Sequence, residues 1–452
     1  MLTLFRGLRM KYIVKLSVVV WFGFCSAMLV CADADPQTAS YGLTVTTDRS
    51  DAIYHVGETV KFQVTLSGEP DSVKDGIVSY VLSNDGTDVL GNGKVVCKEG
   101  KAVIAGKLDK PGFLSCKVTF SINPERTIES LAGAGVDPLK IQPAMPAPDD
   151  FELFWKKKLE ELRNSPANPR ITEVASPEPG IETYDVQLDC LNWAPASAYL
   201  AKPKGAKPKS LPAILWVHGA HILPSFLDRA VRGAKLGMLS MDLNGHGFPN
   251  GKEAEFYQNH PINKLQAHGF YEKVYTYPYY GCEDRNTNYF LGMYLRLVRA
   301  LDFLKQQPEW DGKILIVRGF SQGGAQALAA GALDPQITFV AAGIAAMCEH
   351  GGKIKGWPRY ITSDGDDDVN AKLLNEVRYY DSTNFARLIK AETIMSVGFI
   401  DQVCPPTTVY AAYNSLAGKK EMINMIPVGH AAVGQQEEAF DKAMLTHISR
   451  LQ

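Results

Sequence analysis

Residues 313–324 read Lys313-Ile314-Leu315-Ile316-Val317-Arg318-Gly319-Phe320-Ser321-Gln322-Gly323-Gly324. The run at 313–317 is short, apolar and rich in β-branched side chains, as in a strand buried on both faces. Residues 325–332 are rich in alanine and read as a helix. Between the two, Gly319-x-Ser321-x-Gly323 has the strand–turn–helix setting of a nucleophile elbow. Such a turn is sharp enough to strain the backbone of Ser321. Small residues at Gly319 and Gly323 keep neighbouring chain from clashing, and the hydroxyl is held at the top of a sheet. The bland alternative is a Gly-rich turn with an exposed serine.

A serine hydroxyl is a weak nucleophile and needs a base that an acid orients. With an elbow of this kind the chain order is Ser, acid, His. Asp401 follows the apolar run 393–397 through Gly398-Phe399-Ile400, and His430 follows the run 422–428 and Gly429. The alternatives are Asp401 as a cap before Pro405-Pro406 and His430 as an ordinary loop histidine. An oxyanion hole would draw on the backbone N–H groups of Gln322 and of Ala220, in the His218-Gly219-Ala220-His221 loop after the run 213–217. His350, before Gly351-Gly352, reads as pocket-lining, and His447 as a surface residue of the last helix. Asp364-Gly365-Asp366-Asp367-Asp368 lacks the spacing and terminal Glu of an EF-hand loop and reads as solvated. No Cys/His cluster has zinc spacing, so a structural metal is not expected, and a Ser-His-Asp mechanism needs no cofactor.

Outward from the elbow, the runs 213–217, 238–241, 313–317 and 393–397 alternate with helix-like stretches at 289–306 and 406–416. That alternation implies an α/β fold with a mostly parallel sheet, over a catalytic domain of residues 148–452. Its first helix carries Phe151, Phe154, Trp155, Leu159 and Leu162 on one stripe, with a capping box expected between Asp149 and Glu152. Residues 126–147, with Gly133, Gly135, Pro138, Pro143 and Pro146, read as a linker that few contacts cross. Residues 40–125 read as a small all-β, immunoglobulin-like sandwich. Val60, Phe62, Val64 and Leu66 alternate with polar neighbours, and turn sequences such as Asn84-Asp85-Gly86 separate the further runs 77–82, 94–97, 102–105 and 113–120.

At the N-terminus, Lys11 and Lys15 precede an apolar stretch of about 15 residues, too short for a comfortable membrane span. Residues 1–32 read as a signal peptide cleaved near Ala32, with Met10 a better start than Met1; an uncleaved anchor is the alternative. The chain of 452 residues has 47 basic and 49 acidic side chains and a formal net charge of −2, with no basic excess for nucleic acid. Of eight cysteines, Cys25 and Cys31 fall in the signal. Cys97 and Cys116 read either as a cross-strand pair or as buried thiols.

Four segments carry a family resemblance. They are Pro148-Asp149-Asp150-Phe151-Glu152-Leu153-Phe154-Trp155, the stretch 285–303, the elbow with Gln322 after Ser321, and residues 397–414 around Asp401-Gln402-Val403-Cys404-Pro405-Pro406. Residues 148–440 thereby resemble the acetyl xylan esterase / cephalosporin-C deacetylase family of α/β-hydrolases. The resemblance implies Ser321 as nucleophile, Asp401 as acid and His430 as base. Three positions depart from the family pattern. Ala431 follows His430 where Glu is frequent, Gly219-Ala220 stands for Gly-Tyr, and Asn244-Gly245-His246-Gly247 stands for an Arg-Gly-Gln element. They leave the acyl group and the sugar open.

The reading is a secreted or periplasmic serine esterase that removes short acyl groups, acetyl above all, from xylan or related plant oligo- or polysaccharides. Acetylated saccharide is its expected partner; nucleic acid and a stable membrane span are not, and a homo-oligomer is left open. Two other readings stand beside it: a secreted serine peptidase on the same fold, and a non-catalytic carbohydrate-binding protein with a relic hydrolase domain. On the linker reading, a chain beginning near Gln142 would retain near-normal kcat on a small ester.

Overall fold

A computed structural model describes residues 41–68, 75–191, 193–220, 222–259, 277–361 and 367–452. The expected signal peptide, His221 and residues 364–366 of the acidic loop lie outside these.

Residues 42–136 form two sheets. Strands β1 (Gly42–Thr47), β3 (Val60–Ser67) and β6 (Lys101–Gly106) make the smaller one. Strands β2 (Ile53–Tyr54), β4 (Ile77–Asn84), β5 (Asp88–Val96), β7 (Gly112–Asn123) and β8 (Arg126–Val136) make the larger, in the order β2-β8-β7-β4-β5. In β3 every second side chain is buried, as the period-2 pattern requires. Those side chains meet Val78, Cys97, Cys116 and Val118 in one core. Cys97 and Cys116 are free, buried thiols.

β8 corrects the linker expected at 126–147, because residues 126–136 are an eleven-residue strand paired along β7. Its glycines serve close packing rather than flexibility. A side chain at Gly133 would meet the Phe399 carbonyl oxygen at 2.2 Å. The boundary is also crossed by many contacts. Ala52, Phe113 and Ile141 belong to the same apolar core as the catalytic region, and residues 41–452 form one compact unit.

The second architecture is a nine-stranded sheet. Strands β9 (Arg170–Val174), β10 (Ile181–Cys190) and β11 (Trp193–Pro203) are antiparallel and occupy one edge. Strands β12 (Leu211–Val217), β13 (Leu239–Asn244), β14 (Trp310–Phe320), β15 (Phe339–Gly343), β16 (Glu392–Gly398) and β17 (Lys420–Met425) run parallel. The order is β17-β16-β15-β14-β12-β13-β11-β10-β9. All seven residues of β12 are buried, which is why its sequence is a continuous apolar run rather than an alternating one.

Helix Tyr289–Gln306 lies in the core on one face of this sheet and is buried almost all round, and Asn288 caps it by accepting from the Phe290 N–H at 3.0 Å. Helix Gly434–Leu451 covers the other face with Phe440, Met444 and Ile448. His447 is buried rather than on the surface, with its ring between Glu392 and Thr338 at 2.9 and 3.0 Å. The first helix, Phe151–Asn164, buries its five stripe residues but has no capping box; the Asp150 carboxylate accepts from the Tyr379 hydroxyl instead. Among the described residues no helix is long and apolar enough to cross a membrane.

Candidate active site

β14 ends at Phe320 and helix Gln322–Leu333 begins two residues later, so Ser321 makes the whole turn. Its φ of 58° and ψ of −122° are a conformation that L-residues rarely adopt. Flanking bonds hold it there: the Ser321 N–H donates to Gly343 O at 2.8 Å, and Ser321 O accepts from Ala346 N–H at 3.0 Å. Gly319 and Gly323 are required by crowding. A Cβ on Gly319 would lie 2.5 Å from Gly323 O, and one on Gly323 would lie 2.7 Å from Val217 O.

The structure brings Ser321, His430 and Asp401 together. Ser321 Oγ is 2.9 Å from His430 Nε2, and His430 Nδ1 is 2.8 Å from Asp401 Oδ2. The carboxylate beside Nδ1 assigns the ring proton to that nitrogen, so Nε2 is free to accept from Ser321. Asp401 is 1% exposed. Its second oxygen, Oδ1, accepts from the Val403 and Cys404 N–H groups at 2.8 and 2.9 Å. Those two bonds leave Oδ2 as the only oxygen aimed at the imidazole. The loops carrying acid and base are bonded to each other, Ile400 N–H donating to Val428 O at 3.3 Å.

Asp401, Cys404 and His430 also form a cluster of metal-ligating types. Burial pushes the Cys404 thiol far above its ordinary value, and the Asp401 charge beside it adds to that. The Asp401 carboxylate is already engaged at both oxygens, Oδ1 by two N–H groups and Oδ2 by His430 Nδ1.

Gln322 opens its helix, so its N–H has no carbonyl within the helix to meet. Ala220 stands in the loop after β12. The Gln322 side chain ties the two together: Nε2 donates to Gly219 O at 3.4 Å, and Oε1 accepts from the Tyr277 hydroxyl at 2.7 Å. Gln326 Nε2 donates to His218 O at 2.9 Å. His218 is buried, with Nε2 2.5 Å from Asp242 Oδ1. Asp242 and Tyr277 escape sequence reading because no spacing links them to the elbow. A histidine directly after a buried strand was the only available signal for the first.

His350 is fully buried against Tyr360 and does not line the site. Beside it, burial and then the Asp381 charge push the Glu349 carboxyl up to about 7, while the Ala144 N–H pulls the other way. A raised folded value means stability that is complete below the ordinary carboxylate range and is lost as pH rises toward 7. Glu349→Gln keeps an acceptor for Ala144 and cannot ionise. Its Tm is expected to exceed that of the parent by more near pH 8 than near pH 5. Thermal melts at the two pH values check this; a difference independent of pH would contradict it.

The acetyl xylan esterase (AXE1) family pattern matches residues 137–446, more than half of the chain. The chain belongs to the acetyl xylan esterase family. This family member is therefore a carboxylic ester hydrolase, of a family whose activity is removal of acetyl groups. It is 30% identical over 421 residues to acetyl esterase Axe7A of Xylanibacter ruminicola, covering 90% of this chain and 91% of that protein. An alignment of that length runs into the N-terminal sheets. Among solved structures it is similar to an acetyl xylan esterase from Paenibacillus sp. R4, at 28% identity and TM-score 0.59, covering 68% of this chain and 98% of that one. Acetyl xylan esterase 1 from Thermoanaerobacterium sp. shares the fold, at 23% identity and TM-score 0.57, covering 69% of this chain and 97% of that one. The large sheet with its helices is thus that of an α/β-hydrolase-like fold.

Proposed function

We propose that this esterase is a serine enzyme that removes acetyl groups from xylan or related plant oligo- or polysaccharides. The observation that carries the reading is the continuous hydrogen-bonded path from Ser321 through His430 to Asp401, set on a strained elbow. Ser321 Oγ attacks the ester carbonyl while His430 Nε2 takes its proton. Asp401 keeps the imidazole in the tautomer that can do so and stabilises the imidazolium. The N–H groups of Gln322 and Ala220 receive the developing oxyanion; loss of one such donor typically lowers the rate by about 10²–10³. His430 then gives that proton to the departing sugar oxygen, which leaves as a hydroxyl. A water that it activates releases acetate from the acyl-enzyme.

Parallel assays test this. Acetate release from acetylated xylan and 4-nitrophenol release from 4-nitrophenyl acetate are expected, with no cleavage of a peptide anilide. Anilide cleavage would favour a peptidase, and inactivity on all three a relic fold. Acetyl esters are expected to exceed octanoyl esters in kcat/KM, as measured on a 4-nitrophenyl series. A preference for octanoyl would instead indicate a lipid-binding groove.

The paired sheets at 42–136 are read as an immunoglobulin-like sandwich, which their shared core supports. Export is part of the same reading, supported by Lys11, Lys15 and the apolar stretch after them.

A further inference from the structure

The turn between β4 and β5, Asn84-Asp85-Gly86-Thr87, has the sequence of a solvated hairpin tip. A carboxylate there belongs in water, yet Asp85 is 4% exposed. It is buried against the catalytic region. Asp85 Oδ1 accepts from the Thr407 N–H at 3.1 Å, and Oδ2 accepts from the Thr407 hydroxyl. Thr407 is the second residue of helix Pro406–Ser415, where N–H groups have no carbonyl within the helix and a negative charge suits the helix dipole. The loop leading into that helix carries Asp401.

Further contacts grip the same loop on both sides of Asp401. Gly86 lies under Gln402, whose Nε2 would be 3.1 Å from a Cβ added there. Gly133 packs on the Phe399 carbonyl, leaving no room for a side chain. The Phe113 ring meets Phe399 edge-on at 4.9 Å and Tyr410 at 5.5 Å. The N-terminal sheets therefore touch residues 399, 402, 407 and 410, bracketing the acid. Of these contacts, those of Asp85 with Thr407 are directional hydrogen bonds.

We propose that Asp85 is a positioning residue for the triad, holding the Asp401 loop in register through Thr407, so that the N-terminal sheets complete the active site. This rests on the reading of Ser321, His430 and Asp401 as the triad. Asp85 touches no reacting atom. It acts on where the Asp401 carboxylate sits relative to His430, and a misplacement of 1 Å in such a constellation costs about 100-fold in rate. The role affects the chemical step, so it falls on kcat rather than on KM. Burial outweighs the two Thr407 bonds and leaves the Asp85 carboxyl raised to about 7. An asparagine can make both bonds without a charge, its oxygen accepting from the N–H and its amide donating to the hydroxyl.

The test uses the full chain and 4-nitrophenyl acetate, with competent sites counted by a phosphonate that modifies the serine. Asp85→Ala is expected to lower kcat per titrated site by about tenfold or more, with KM within about twofold. Asp85→Asn is expected to stay within about threefold of the parent, and Thr407→Val, which loses the hydroxyl bond but keeps the N–H bond, to fall between Asp85→Asn and Asp85→Ala. The double variant Asp85→Ala/Thr407→Val should be no slower than Asp85→Ala, which already removes both bonds. A merely structural role would lower the number of titrated sites and leave kcat per site unchanged, which would overturn the proposal. So would an Asn variant as slow as the Ala variant. If Asp85→Ala does not fold, Thr407→Val and Asp85→Asn decide alone, the first slower per titrated site than the second and the second near-normal; equal rates in the two would overturn the proposal. Ser321→Ala assayed alongside separates the two readings. Full activity there removes the triad and this role with it. An inactive Ser321→Ala beside a normal Asp85→Ala removes only the role of Asp85.

Discussion

Ser321→Ala is expected to lower kcat for 4-nitrophenyl acetate by about 10⁴–10⁶ while leaving the folded state intact. The Oγ atom removed is the one that would form the acyl-enzyme, and no neighbouring hydroxyl can replace it on the elbow. The bond to His430 at 2.9 Å is the side-chain hydrogen bond that ties Ser321 to the rest of the site. The change deletes one partly exposed oxygen and no core contact, and the positive φ at this turn burdens alanine as much as serine. The backbone bonds to Gly343 and Ala346 remain. Ser321 stands at the N-cap of its helix but its side chain makes no cap bond, so stability should move by less than about 1 kcal/mol. Initial rates and a thermal melt on the same preparation check both parts. Activity near that of the parent would refute the nucleophile, and a collapsed melt would show that Ser321 supports the fold instead.

Asp401→Asn is expected to cost about 10⁴ in kcat. The reason lies in the second oxygen of the carboxylate. Oδ1 accepts from the Val403 and Cys404 N–H groups, so an amide at this position must turn its oxygen toward them. Its NH₂ then faces His430 Nδ1, where the carboxylate now sits at 2.8 Å. A donor facing Nδ1 makes that nitrogen the acceptor and moves the ring proton to Nε2. His430 could then no longer take the proton from Ser321. The folded state should persist, because the two N–H groups keep their acceptor. Steady-state kinetics on 4-nitrophenyl acetate read the effect. A loss of only a few-fold would mean that the imidazole is oriented by something other than Asp401.

The elbow and the α/β alternation were legible in the sequence because both are local. A strand buried on two faces must be a continuous apolar run, and a turn as tight as that at Ser321 must have small neighbours at Gly319 and Gly323. Asp401 and His430 could be chosen because each follows such a run, in the chain order the elbow demands. They lie within hydrogen-bond distance of one another in the fold.

Other features depended on chain segments that meet only after folding. Gly133 looked like a linker glycine because composition does not distinguish a flexible glycine from one pressed against the Phe399 carbonyl. Asp85 reads in the sequence as part of a turn between strands, and only its burial against Thr407, 322 residues away, gives it a partner. His447 looked exposed because its partners are Glu392 and Thr338, on strand ends that the last helix reaches by packing over the sheet. Tyr277 has no sequence signal at all for its bond to Gln322. Sequence periodicity and motif spacing report what a residue needs from its near neighbours. Which buried polar group meets which across the core is set by how the sheets and helices pack, and that was decided by the tertiary structure alone.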